Sequence, residues 1–236
     1  MKNDNVIILS GAGLSAESGI RTFRMEDGLW EEYDIMEVCS VEGFFKDREK
    51  VLGFYDKRRK DIEDKVPNAA HFMIAEIKKK YPDEVKVITQ NVDDLLEKAG
   101  CSDLVHLHGK LTELTCEMCG HIFDIGYGSI KEYPECPSCK SHALRHNVVM
   151  FGEPAPEYQT LYNALTTCGL LVVIGTSGYV LPVSQFAMYS QYSVLNNLER
   201  SPAVDDRVFN HVFYENASTA APKIKKLIEK FFSDGQ

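Results

Sequence analysis

Close to its start the chain runs through Val6-Ile7-Ile8-Leu9-Ser10 and breaks at once into Gly11-Ala12-Gly13-Leu14-Ser15-Ala16-Glu17-Ser18-Gly19. An apolar, β-branched run of this length suits a strand buried on both faces, and the small residues after it predict a tight turn feeding a helix. Residues 85–88, 104–107 and 170–174 have the same character. Helical patterns lie between these runs. Ala69–Lys80 carries apolar Phe72, Met73 and Ile77, and residues 92–98 carry Leu95 and Leu96. Residues 222–232 place Pro222 at an expected first helical position, with apolar side chains on one face. Strand and helix alternating in this way predict an α/β fold, a Rossmann-like parallel sheet with helices on both faces.

Two stretches interrupt the rhythm. Residues 31–66 are charged and amphipathic, with Phe44, Phe45, Leu52, Phe54 and Tyr55 as expected buried points, and read as the body of a helical insertion over 31–81. Residues 114–143 hold Cys116-x2-Cys119 and Cys136-x2-Cys139 and little other core material. That spacing is the pattern of a tetrahedral zinc site built from two knuckles, and four thiolates leave no open position for water or substrate. The expectation is a small zinc-binding module over 114–143 holding one structural ion. The Rossmann-like unit is then discontinuous, made of 1–30, 82–113 and 144–236. Cys39, Cys101 and Cys168 read as buried fillers.

The glycine motif points to an anion. Gly11 and Gly13 let backbone approach a pyrophosphate, Ala16 allows close helix-to-strand packing, and a helix N-terminus offers unpaired N–H groups. A hydride-transferring dehydrogenase would carry an acidic residue at the end of a second strand about 20 positions on. Here a polar and aromatic stretch around Thr22-Phe23-Arg24 follows, read as a loop that shields a reactive carbon with Phe23 and supplies charge through Arg24. Three more strand ends should face the same crevice: Gln90-Asn91-Val92-Asp93, His108-Gly109 and Gly175-Thr176-Ser177. His108 is the candidate general base, with His106 as its rival, and Gly109 is expected to leave room for substrate.

A net charge of -9 argues against general binding to nucleic acid or anionic membrane and suits a lysine-rich protein partner. Few basic residues lie between Cys116 and Cys139, which disfavours a nucleic-acid-binding zinc module. No apolar stretch approaches the ~20 residues that cross a bilayer. Seven cysteines and no expected export signal predict a reducing, cytoplasmic setting.

Taken in order, Gly11-Ala12-Gly13-x-Ser15-x-x-Ser18-Gly19-Ile20, Thr22-Phe23-Arg24, Gln90-Asn91-Val92-Asp93, His108-Gly109, the four cysteines, Val149-x-Phe151-Gly152-Glu153 and Gly175-Thr176-Ser177 span nearly the whole chain. In that order they resemble the sirtuins, NAD-dependent protein lysine deacylases. The resemblance implies that an acylated lysine attacks the NAD ribose carbon bearing nicotinamide, and that the acyl group passes to ADP-ribose. It implies His108 as the base and Asn91 as a catalytic residue that orients ribose or water. Gly11, Ala12, Gly13, Ser15, Phe23, Arg24, Gly175, Thr176 and Ser177 then belong to the NAD site. Gln90 lies on ribose, Asp93 and Ile20 by the carboxamide, and Asn197 and Ala217 by adenosine. Val149, Phe151, Gly152 and Glu153 form the platform for substrate peptide.

One departure narrows the branch. Many sirtuins carry proline and aspartate before Phe-Arg, whereas this chain has Arg21 and Thr22. The threonine resembles the branch that removes acidic acyl groups, which also carries a tyrosine and an arginine three residues apart. Tyr55 and Arg58 match that pair and would share a helix face, able to grip a succinyl or malonyl carboxylate. The plainer reading of that segment is a solvated basic helix surface. The expected activity is deacetylation with desuccinylation and demalonylation; ADP-ribosyl transfer to protein from the same pocket is the alternative.

Overall fold

The computed structural model describes residues 4–21 and 34–234. Thr22, Phe23 and Arg24 lie outside the described residues. Strands β1 (Asn5–Ser10), β2 (Val85–Thr89) and β3 (Leu104–His106) combine with β7 (Cys168–Ile174), β8 (Tyr192–Asn197) and β9 (His211–Tyr214) in one six-stranded sheet. Its order is β3-β2-β1-β7-β8-β9, and every neighbouring pair is parallel. The four strands expected from apolar runs are present. β8 and β9 were not expected, because Ser193, Asn196 and Asn197 break the apolar signal of a strand that is nonetheless buried. Their polarity is answered inside the fold: Asn196 Nδ2 donates to the carbonyls of Phe213 and Glu215, and Ser193 pairs with Asn210.

Helices α1 (Ile35–Cys39), α2 (Val41–Lys46), α3 (Arg48–Ile62) and α4 (Ala69–Lys80) separate β1 from β2; α5 (Leu95–Lys98) precedes β3. α6 (Tyr158–Leu165), α7 (Val183–Tyr189) and α8 (Ala217–Asp234) follow. Strand alternation sends Val6, Ile8 and Val172 to one face, against Ile74 and Ile77 of α4 and Ala220, Ile224 and Ile228 of α8. Ile7, Leu9, Leu171 and Val173 go to the other, against Leu161 of α6 and Val183 and Phe186 of α7. Each such side chain contributes about 1.5–3 kcal/mol of burial, so these two layers hold the sheet.

Several local expectations are corrected. The segment after β1 forms two short 3-10 turns, Ala12–Leu14 and Ala16–Ser18, closed by Gly19 at φ +80, and not a longer helix. Phe45 and Phe72 are 83% and 53% exposed, because the buried stripes run through Phe44 and through Ala70, Met73, Ile74 and Ile77 instead. α5 starts at Leu95, since residues 90–93 are committed to the crevice. α8 starts at Ala217, with the Asn216 carbonyl accepting from Thr219 and Ala220, so Pro222 lies inside the helix. Small Ala217, Ala220 and Ala221 dock that extra turn on the core.

A second, antiparallel sheet is made of β4 (Gly109–Cys116), β5 (Ile122–Asp124) and β6 (Leu144–Val148), in the order β5-β4-β6. It carries the four cysteines and meets α3 along a buried polar seam.

Candidate active site

The strand order reverses between β1 and β7, and crevices of parallel sheets open at such a point, beyond the carboxyl ends of the strands. The loops leaving these two strands lie on one another: Gly11 N–H donates to the Ile174 carbonyl at 2.9 Å and Gly13 N–H to the Gly175 carbonyl at 2.8 Å. A Cβ on Gly13 would sit 2.6 Å from Gly175 Cα, so this glycine is required by the contact between the loops. Above them opens a cavity of about 560 Å³, within the range of small-molecule sites.

Most residues singled out in the sequence converge there. Gly11, Ala12, Gly13, Ile20, Gln90, Asn91, Asp93, His108, Gly175, Thr176, Ser177, Asn197 and Ala217 all line the cavity, as do Tyr55, Arg58, Val149, Phe151, Gly152 and Glu153. Ser15 does not; it is fully buried behind the wall.

His108 stands between two partners of opposite kind. Its Nδ1 lies 3.0 Å from the Gln90 carbonyl, which can only accept, so Nδ1 carries the proton. Nε2 then presents its lone pair, on which the Tyr158 hydroxyl donates at 3.1 Å. Burial holds the imidazole below its ordinary pKa, outweighing the Gln90 bond. A neutral ring with one unprotonated, basic nitrogen is the form a general base needs near pH 7. His106, the rival, does not line the cavity; Nδ1 faces the Asn91 carbonyl at 2.8 Å and Nε2 the Glu97 carboxylate at 3.0 Å. Burial lowers its pKa, but Glu97 and the Asn91 carbonyl together more than reverse this and raise it. The expectation that Gly109 makes room for substrate is corrected: it does not line the cavity. At φ +79 its missing Cβ would lie 2.0 Å from the Asn147 carbonyl oxygen, so the glycine permits a strand contact.

Asp93 is buried, and desolvation raises its pKa against the hydrogen bonds from the Leu95 N–H and Ser15. At the other end of the cavity, Gln90 Nε2 donates to Thr176 Oγ1 at 3.2 Å, and Ser201 Oγ to the Ser177 carbonyl at 2.6 Å. Asn196 Oδ1 is buried there without a hydrogen-bond partner among the described residues. Such an acceptor suits a bound ligand donor, and it sits on β8, which polarity concealed in the sequence. Tyr158 was also missed; no sequence pattern marks a tyrosine that reaches a distant imidazole.

Residues 149–153 are clamped from both sides. Val149 N–H donates to the His108 carbonyl at 2.9 Å, and Phe151 N–H to the Cys39 carbonyl at 2.8 Å. Glu153 takes Arg145 Nη2 at 2.9 Å and the Met150 N–H at 2.8 Å. α3 sends adjacent arginines in different directions. Arg59 is buried beneath the helix, donating to the carbonyls of Leu111 and Gly128 and to Asp56. Arg58 reaches the cavity wall beside Tyr55, and burial lowers its pKa against nearby acidic groups. Desolvation raises the Tyr55 pKa well above its usual value, which keeps the phenol a neutral donor. The plainer reading of this segment, a solvated basic surface, therefore fits Lys57 and Lys60 and not Arg58.

The sulfurs of Cys116, Cys119, Cys136 and Cys139 lie within 4.8 Å of one another. Two of the separations are 3.6 and 3.8 Å. Zn–S bonds of about 2.3 Å arranged tetrahedrally place sulfurs about 3.8 Å apart, so the four residues fit one zinc ion. The two knuckles repeat each other. Gly120 N–H donates to the Cys116 carbonyl and Lys140 N–H to the Cys136 carbonyl, both residues with positive φ.

The sequence profile described as the Sir2 family matches residues 11–182. A Campylobacter jejuni protein named NAD-dependent protein deacylase is 54% identical over 231 residues, covering 98% of each chain. The solved structure of a Sir2 homologue in complex with NAD is 32% identical with a TM-score of 0.83, covering 96% of this chain and 90% of that one. A mutant Sir2 homologue in complex with 2'-O-acetyl ADP ribose is 31% identical with a TM-score of 0.81, over 96% and 92% of the two chains.

Proposed function

This chain belongs to the Sir2 family and is an NAD-dependent protein deacylase, and on that premise we propose how its own residues divide the work. When bound, NAD supplies the electrophilic ribose carbon and the ADP-ribose that takes up the acyl group as nicotinamide departs. The loops at Gly11–Gly13 and Gly175–Ser177 hold its phosphates and ribose, while Asn196, Asn197 and Ala217 face adenosine. Asp93 and Ile20 lie by the nicotinamide carboxamide, and Asn91 orients ribose or water. His108 takes a proton from a ribose hydroxyl at Nε2, and the Gln90 carbonyl keeps the proton on Nδ1 so that Nε2 stays basic. Residues 149–153 offer a fixed backbone edge to an acylated peptide.

The finer reading is a preference for acidic acyl groups. Tyr55 and Arg58 reach the same cavity as His108, in a wall where burial strengthens a charge-assisted bond to a carboxylate. In this division the discontinuous unit 1–30, 82–113 and 144–236 carries the chemistry, the insertion 31–81 reads the acyl group, and the module 114–143 braces both. Seven cysteines, none of them joined in a disulfide among the described residues, support a reducing, cytoplasmic setting. Among the described residues no helix is long and apolar enough to cross a membrane.

The observation that carries the reading is the neutral imidazole whose Nε2 faces the switch-point cavity. The test is turnover of acetyl-, succinyl- and malonyl-lysine peptides with NAD. His108→Ala should lower turnover about 10³-fold with zinc content unchanged, and near-normal turnover would remove the assigned base. Arg58→Met should reduce desuccinylation about tenfold more than deacetylation; equal losses would end the acyl assignment. Nicotinamide release without acyl-ADP-ribose would point to ADP-ribosyl transfer.

A further inference from the structure

We infer that Tyr158 is a positioning residue of the general base: its phenol holds the place on His108 Nε2 that a ribose hydroxyl of NAD takes on binding. Tyr158 opens α6, and its hydroxyl reaches His108 Nε2 at 3.1 Å. Burial and the neighbouring Tyr162 raise the phenol's pKa, so it stays protonated and donates. A neutral imidazole has one in-plane lone pair, and with the proton on Nδ1 that pair belongs to Nε2. A base takes a proton only from a hydroxyl within about 2.6–3.2 Å of it. Phenol and ribose hydroxyl therefore compete for a single acceptor, and the first must leave before the second can react.

The surroundings suit such an exchange. Tyr158 and His108 both line the cavity. Among the described residues the phenol oxygen has no other hydrogen-bond partner, so only Nε2 holds it there. The two rings lie 5.9 Å apart and tilted by 54°, without stacking, so the phenol can swing away with the loss of one hydrogen bond. Tyr162, one turn along α6, meets the Tyr158 ring edge-on at 6.5 Å and 85°, and Phe186 of α7 meets Tyr162 at 6.2 Å and 81°. This aromatic column guides the phenol back to Nε2 when the crevice empties. Until NAD arrives, the imidazole is gripped at both nitrogens, by the Gln90 carbonyl and by the phenol, and keeps the orientation that catalysis needs. A donor on Nε2 also favours the neutral ring over the charged one. Asp93, Arg58 and Glu153 bring charge to the same cavity, but burial, opposed by the Gln90 bond, sets the shift of His108, so its titration reports on its hydrogen bonds. The inference rests on the proposal that His108 is the base of an NAD site.

Tyr158→Phe removes the hydroxyl and keeps the ring. In ligand-free protein with isotope-labelled histidine, the NMR titration midpoint of the His108 imidazole should rise by about half a pH unit in Tyr158→Phe, because the neutral ring has lost a donor. Saturating ADP-ribose supplies a ribose hydroxyl to both proteins, and the difference between them should vanish. The acid limb of kcat/KM for NAD, which reports the free enzyme, should move up with the NMR midpoint in deacylation of an acetyl-lysine peptide. Its plateau should rise about threefold, since NAD no longer displaces a phenol. An unmoved midpoint in the ligand-free variant would overturn the inference, as would a difference that persists under ADP-ribose. A plateau lowered about tenfold would make the phenol part of the chemistry and end its role as a placeholder. Failure of the site reading looks different: a wild-type imidazole indifferent to ADP-ribose would remove the NAD site itself, and the exchange with it.

Discussion

The six-stranded sheet and the three-stranded sheet answer the same entropic demand by different means. The larger buries apolar side chains on both faces, Val6, Ile8 and Val172 on one and Ile7, Leu9 and Val173 on the other, each layer closed by two helices. The smaller gathers Leu114, Ile125, Ile130 and Leu144 around two buried cysteines, with only a few part-buried side chains added. So small an apolar cluster does not offset the backbone entropy of the segment it orders. The remainder must come from cross-linking, and four sulfurs spaced for one ion provide it. What differs is the location of specificity. In the large sheet it is spread over many side chains, and in the small one it sits in four.

Removing metal therefore gives the largest expected effect. Cys116→Ser, or exhaustive chelation, should release zinc and expose residues 109–148 to proteolysis and hydrogen exchange, a loss of about 10 kcal/mol of metal-linked folding free energy. Amides of β1 and β7 should stay protected. A metal-free protein whose small sheet remains protected would erase the contrast. The seam between the regions comes next. Asp56 accepts from Arg59 Nη1 at 3.1 Å, His146 Nε2 at 3.0 Å, Ser129 Oγ at 2.6 Å and the Ile130 N–H at 3.1 Å. Asp56→Ala leaves the buried Arg59 guanidinium without its carboxylate and should cost about 3–5 kcal/mol in denaturant unfolding. A cost below about 1 kcal/mol would mean that the two regions stand independently.

The same contrast explains what could be read from the residues alone. Strands β1, β2, β3 and β7 announce themselves because a strand buried on both faces is apolar at every position. β8 hides because Ser193 and the Nδ2 of Asn196 find their partners far along the chain, which no local pattern reveals. β4 and β6 hide because Glu113, Thr115, Arg145 and Asn147 alternate with their buried positions, and two of those buried positions are the polar Thr112 and His146. In the crevice, residues at strand ends were legible because strand ends must converge in a parallel sheet. Arg58 and Arg59 are chemically identical neighbours, and only the helix phase sends one to the cavity and the other to a buried seam. Tyr158 and His71 each make a single long-range hydrogen bond and leave no periodic trace.

Acid separates the regions by the pH range of titration, and this is the smallest effect. His71 has a folded pKa of about 4 against an ordinary value of 6.5. Between these values the unfolded chain binds a proton that the folded one refuses, so stability falls as pH drops from 6.5 to 4, by about 3 kcal/mol at the lower end. Asp56, held at about 2 by its hydrogen bonds despite burial that works against them, behaves differently. Its contribution is intact above pH 3.8 and lost only as pH falls towards 2. The crevice side of the large sheet should therefore weaken in mild acid, whereas the Asp56 carboxylate of the seam gives way only nearer pH 2. His106 opposes this trend, since Glu97 raises its pKa, while His108 and His146, both lowered, add to it. The difference between wild type and His71→Gln isolates the one group: urea midpoints at pH 7, 5.5 and 4 should fall more steeply in wild type than in the variant. Parallel slopes would mean that the acid response of the large sheet comes from elsewhere than the imidazole beneath the glycine loop.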